Sequence, residues 1–157
     1  MLLHVDTLDA DILRRLQADG RTSNAELARR LNLSPPAVHA RLRRLEEEGY
    51  IRGYTAVLDR ERLGFDMLCF VHIALQQHNT DLVERFRAAV REIPEVLECH
   101  HITGEYDYLL KAVVCNRKDL ERLVVQRLTP IPGVARIHTS IALSEVKQTT
   151  ALPLDSP

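Results

Sequence analysis

The chain has 157 residues, 45% of them hydrophobic and 27% charged, with a formal net charge of -1. That composition excludes a disordered or collagen-like chain and suits one ordinary domain or two small ones. The charge is uneven: between Arg21 and Tyr54 seven arginines face four glutamates, so a polyanionic partner is expected to meet the front of the chain.

Leu8, Ile12 and Leu16 recur every fourth residue and predict a first helix from Asp6 to Ala18, with Asp6, Asp9 and Asp11 at its dipole-positive end. Asp19-Gly20 ends it. Ser23 or Asn24 caps a short second helix, Ala25 to Leu31, and Asn32-Leu33 turns directly into a third. Ser34 caps that third helix, Pro35 sits where its missing N–H costs nothing, and Val38, Leu42 and Leu45 form one apolar stripe. The helix is expected to reach Glu48, with Gly49 beyond its end. Three helices this short must pack together. Tyr50 to Leu58 reads as a short strand, the visible part of a wing.

Asp59 to Asp66 is charged, contains Gly64 and lacks periodicity, so residues 59–66 are read as a linker between a first domain (1–58) and a second (67–147), with 148–157 as a tail. Met67 to Leu75 is apolar on both faces and predicts a central strand. A helix through Leu82, Phe86, Val90 and Ile93 follows, stopping at Pro94. Val96 to Thr103 and Tyr108 to Cys115 predict two strands joined at Gly104 to Tyr106. Arg117 to Leu128 predicts a helix, and Val134 to Ile141 a fourth strand. Strand, helix, strand, strand, helix, strand is the split β-α-β order of an antiparallel ferredoxin-like domain, so the fold class is α+β. One sheet face is left for a second copy of the chain. Leu143 to Lys147 is a candidate extra strand.

Cys69, Cys99 and Cys115 lie far apart without a CxxC pair, which argues against a disulfide framework or a zinc site and for a reducing interior. Cys69 and Cys115 sit in strand patterns and are expected in the core. His100 and His101 beside Cys99 lack the donor set of a metal site, and no cofactor is expected. Met1 to Val5 is too short for a signal peptide and no run of eighteen apolar residues exists, so the expected setting is soluble and cytoplasmic.

A second helix braced by a shorter one is the arrangement that enters a DNA major groove. The candidate DNA-facing residues are Ser34 and Pro36 at the helix start, then His39, Arg41, Arg43 and Arg44. Arg43 suits a bidentate guanine contact and His39 a single base or phosphate contact, while Arg41 and Arg44 flank the buried stripe and suit phosphates. The competing reading, arginines that only solvate an exposed helix face, stays open for Arg29, Arg30 and Arg52 and applies to Arg43 taken alone. A two-fold dimer would place two such helices on half-sites roughly 34 Å apart.

LDADILRRLQADGR (Leu8–Arg21), LARRLNLSPPAVHARLRRLEEEGYIRGYTAVLD (Leu27–Asp59), TGEYDYLLKAVV (Thr103–Val114) and PGVARIHTSIALSEVK (Pro132–Lys147) together resemble the Lrp/AsnC family of transcription regulators. The resemblance implies an N-terminal winged helix-turn-helix, a C-terminal ferredoxin-like domain that senses an amino acid, and dimers that assemble further into tetramers or octamers on double-stranded DNA. It places an effector site at the turn Gly104, Glu105, Tyr106, Asp107, together with His138, Thr139 and Ser140. Physically, Gly104 exposes backbone N–H groups, Asp107 can receive an α-amino group, and Thr139 and Ser140 can bond a carboxylate. Asp107 as a turn cap is the competing reading. No nucleophile elbow, P-loop or spaced carboxylate pair points to an enzyme. The remaining alternatives are an architectural DNA-compacting protein that ignores ligands and, behind it, an amino-acid-acting enzyme.

Overall fold

The computed structural model describes residues 5–77 and 79–154. The chain divides into two compact units, one running to Val57 and joined by the closing segment from Lys147, the other spanning Leu58–Val146.

In the first unit, α1 (Thr7–Ala18), α2 (Asn24–Leu31) and α3 (Pro35–Glu47) each begin at a side-chain cap: Asp6, Ser23 and Ser34. Asp6 and Asp9 form a reciprocal capping box, so two N–H groups that the helix leaves unbonded are satisfied at once. Asn32 ends α2 in the left-handed region at φ 53°, ψ 44°, and the Leu33 N–H bonds the Ala28 carbonyl at 2.9 Å, which reverses the chain into α3 without a loop. Ile12, Leu27, Ala28, Val38, Leu42 and Leu45 are the buried core, backed by Leu13, Leu16, Leu31, Leu33 and Ile51. Asp9 is buried beside them, its carboxylate receiving Arg41 at 2.8 Å and Arg44 from α3, while Arg41 also reaches Asp6 at 2.7 Å.

The strand expected over Tyr50–Leu58 does not form: apart from the half-buried Ile51 the segment is exposed, and among the described residues no strand pairs with its backbone groups. The same reason removes the extra strand expected over Leu143–Lys147. The closing segment instead meets α1: the Gln17 side-chain amide donates to the Leu152 carbonyl at 3.1 Å and accepts the Leu152 N–H at 2.6 Å.

The second unit holds β1 (Met67–Leu75), α4 (Thr80–Arg91), β2 (Val96–His101), β3 (Tyr108–Val114), α5 (Arg117–Glu121, continued by a π-helical turn through Arg122–Leu128) and β4 (Val134–Ile141). The sheet order is β2-β3-β1-β4 with every pair antiparallel, as the split β-α-β order requires. Cys69, Val71, Ile73 and Leu75 of β1 and Tyr108, Leu110, Ala112 and Val114 of β3 pack with Phe86, Val90, Leu123 and Leu128 from the helices. In the π-helical turn the Thr129 N–H bonds the Val124 carbonyl at 2.9 Å, five residues back, and this wider winding lets Leu123 and Leu128 share the buried side. Cys115, expected in the core, is exposed, because β3 ends one residue earlier; Cys69 is buried as expected. Gly133 turns the chain into β4 at φ 89°, where a Cβ would lie 3.3 Å from Leu82 of α4.

Two outcomes follow for the first unit. Asp9→Ala removes half of the capping box, leaves Arg44 without its carboxylate and leaves Arg41 with Asp6 alone, so urea unfolding should show a loss of about 2 kcal/mol, against no resolvable loss for the exposed Arg43→Ala. Arg29 and Arg30 hold the Glu26 carboxyl down to about 2, and the Asp9 N–H with Arg41 holds Asp6 below its usual value. A depressed folded-state value means that the unfolded chain binds protons first as pH falls. The stability these groups contribute is therefore complete above about pH 4.5 and is lost toward pH 2, which thermal unfolding across that window will register as a falling midpoint, less steep in Glu26→Gln.

Candidate functional site

Helix α3 displays one polar stripe. Ser34 accepts the Ala37 N–H at 3.4 Å, and Pro36, His39 and Arg43 follow it as exposed residues on the side away from Val38, Leu42 and Leu45. Arg43 donates from Nε to Glu47 at 2.7 Å, with both side chains well exposed at 70% and 62%. An exposed pair of this kind is worth little, so a phosphate or a guanine edge can replace Glu47 at small cost. Arg41 and Arg44 stand elsewhere. Both point back to Asp9, and they set the angle of α3 against α1. Toward the end of the helix, the Tyr54 hydroxyl donates to Glu46 at 3.0 Å and gives that carboxylate a partner.

The second cluster lies on the sheet face opposite α4 and α5. β1 and β4 pair with His72 opposite His138, and strand alternation puts Arg136, His138 and Ser140 on one side. Thr139 lies opposite the buried Val71 and so on the other side; the pleat separates it from its two neighbours. The Tyr106 ring closes the cluster, with centroids 5.2 Å from His72 and 6.3 Å from His138, and the Arg136 guanidinium lies 4.8 Å over its face. Arg136 also pairs with Glu105 at 2.9 Å, and the Ser140 hydroxyl is 3.5 Å from His138 Nε2. Gly104 supplies the turn at φ 120° with open space around it.

Asp107 holds the turn in place. Its carboxylate accepts the Leu75 N–H at 2.7 Å, its own N–H donates to the Ile73 carbonyl at 2.9 Å, and its carbonyl accepts from Ile102 at 2.9 Å. One carboxylate oxygen is thereby committed to the backbone of β1. His72 and Arg136 join the cluster without having been singled out from the sequence as effector ligands. Their signal is the β1–β4 register, which one sequence does not display. His72 Nδ1 is buried there with no hydrogen-bond partner among the described residues.

Cys99, His100 and His101 do not converge. His100 bonds Glu98 at 3.0 Å on the open face, where Lys111 also reaches Glu98 at 3.0 Å, while His101 stacks on Tyr108 on the helix side. His100 and Lys111 keep the Glu98 carboxyl below its usual value. Among the described residues no helix is long and apolar enough to cross a membrane.

The family model for the Lrp/AsnC ligand binding domain matches residues 68–152, and that for a winged helix-turn-helix DNA-binding domain matches residues 5–52. The leucine-responsive regulatory protein of Salmonella typhimurium is 43% identical over 148 residues, covering 94% of this chain and 90% of that protein. A transcriptional regulator from Neisseria meningitidis, solved as an L-Met complex, superposes with a TM-score of 0.92 at 38% identity, over 96% of this chain and 97% of that one. An AsnC family transcriptional regulator from Agrobacterium tumefaciens gives 0.90 at 33% identity, over the same shares.

Proposed function

Because the chain belongs to the Lrp/AsnC family of DNA-binding transcriptional regulators, we propose that α3 reads a two-fold symmetric operator and that an amino acid received beside the Gly104–Asp107 turn changes this reading. Members of this family regulate transcription and are not enzymes. One three-helix head buries little surface on DNA, so pairing of two heads is needed for selectivity. The sheet face opposite the helices, where Phe70, His72 and Leu109 are half-buried, is the surface over which a second copy of the chain packs in this reading.

The observation that carries the effector half is the Arg136–Glu105 ion pair laid across Tyr106. A zwitterion can divide such a pair: its carboxylate goes to Arg136 and the Gly104 backbone, its ammonium to Glu105, and its side chain lies on the Tyr106 ring. His138 and Ser140 stand within reach as further hydrogen-bonding groups. The Neisseria meningitidis regulator is complexed with L-Met, which puts methionine first in the panel of amino acids to be tried. The ligand acts only as far as it binds two states of the protein unequally.

Sites selected from sheared genomic DNA, titrated by anisotropy at fixed salt, should show a preferred symmetric sequence, and Arg43→Ala should lose about 1–3 kcal/mol of discrimination. Equal binding to every fragment would favour the DNA-compacting reading. Calorimetry with L-Met, L-Leu and the other common amino acids should give heat with at least one of them. Tyr106→Ala and Arg136→Ala should each weaken that binding about tenfold while leaving ligand-free DNA affinity unchanged. An absence of heat together with unchanged DNA affinity across the panel would remove the effector half and leave the DNA half standing.

A further inference from the structure

On the helix side of the sheet, α4 stops short of covering the edge strand β2, leaving a cavity of about 430 Å³, within the size range of small-ligand sites. Its floor is apolar and aromatic: Val90, Val96 and the buried ring of Tyr108. Arg87 and Arg91, one helical turn apart on α4, form one wall, and Cys99 and His101 of β2 the other. The walls are ordered by contacts of their own. Arg87 donates from Nε to the Tyr108 hydroxyl at 3.2 Å and pairs with Glu84 at 2.9 Å, and His101 stacks on Tyr108 with centroids 4.9 Å apart and an angle of 23°.

The charge in this cavity is one-sided. Arg91 makes no ion pair among the described residues, while Glu98, the only acidic residue on the lining, sends its carboxylate to the opposite sheet face, where His100 and Lys111 hold it. An anionic group entering here meets two guanidinium groups, whereas an ammonium group meets them as like charges with no free carboxylate in compensation. The apolar floor calls for a hydrocarbon or aryl body behind the anion. We propose that this cavity binds a small carboxylate that has an apolar body and lacks an α-ammonium group, the chemistry of 2-oxo acids and of short branched or aryl acids.

The site differs from the proposed amino-acid site in position and in charge, and it does not depend on that reading. The two still share a hairpin: His101 and Tyr108 flank the 102–107 turn, which the Ile102-to-Asp107 backbone bond closes. An occupant that presses on the His101–Tyr108 stack therefore bears on the turn from its other side.

The test uses the full-length protein with 4-methyl-2-oxopentanoate as probe, and with L-Leu and inorganic phosphate as comparisons. Saturable heat is expected from the oxo acid, weakened about tenfold in Arg91→Ala and unchanged in Tyr106→Ala. Peptide-resolved labelling with N-ethylmaleimide gives a readout in the unmodified chain: the oxo acid should slow Cys99 and leave Cys115, which is also exposed, as the internal control. Absence of both heat and Cys99 protection overturns the proposal, as does full affinity in a folded Arg91→Ala. Arg91-dependent binding of L-Leu at equal strength overturns the exclusion of the ammonium group, and equal displacement by phosphate overturns the carboxylate assignment.

Discussion

The reading head is arranged around one buried carboxylate. Asp9 completes the cap of α1 and at the same time receives Arg41 and Arg44 from α3, so the start of one helix and the middle of another are fixed by the same two oxygens. A buried charge persists only when it is paired and hydrogen-bonded, and here each requirement is met by a different element. Hydrophobic burial of Ile12, Leu27, Val38 and Leu45 drives the helices together without specifying a crossing angle. The Asp9 bonds are directional and supply that angle, and with it the direction in which His39 and Arg43 face.

This pairing also changes what the positive excess at the front of the chain means. Arg29 and Arg30 share Glu26, Arg43 leans on Glu47, and Arg41 and Arg44 are bound inward. Little of the formal charge is therefore a free field. In the proposed reading, contact with a polyanion proceeds by exchange of partners on the exposed stripe, where the pairs are weak, while the inward pairs hold the scaffold.

Legibility from sequence followed distance along the chain. Caps at Ser23 and Ser34, the apolar stripe of α3 and the bounds of β1 and β4 depend on residues within a turn or two of each other, and all could be read directly. Asp9 lies more than thirty residues from its arginines, so Arg41 and Arg44 read only as phosphate-contacting groups flanking the buried stripe. At the proposed effector cluster the turn residues were visible, yet His72 and Arg136 enter through strand register, and the pleat that sends Thr139 to the opposite side of the sheet from His138 separates neighbours that look equivalent in the sequence. The segment 50–58 has the composition of a strand but no partner strand, and composition alone cannot supply one.

The bond between Gln17 and Leu152 means that the first unit is assembled from two stretches of chain with the entire second unit made in between. On the ribosome, the three helices have all their core residues in hand early and can collapse through local contacts. The strap across α1 has to wait until the sheet domain has been synthesised. The reading head is thus finished in two stages, the second only after the whole sheet domain has been made.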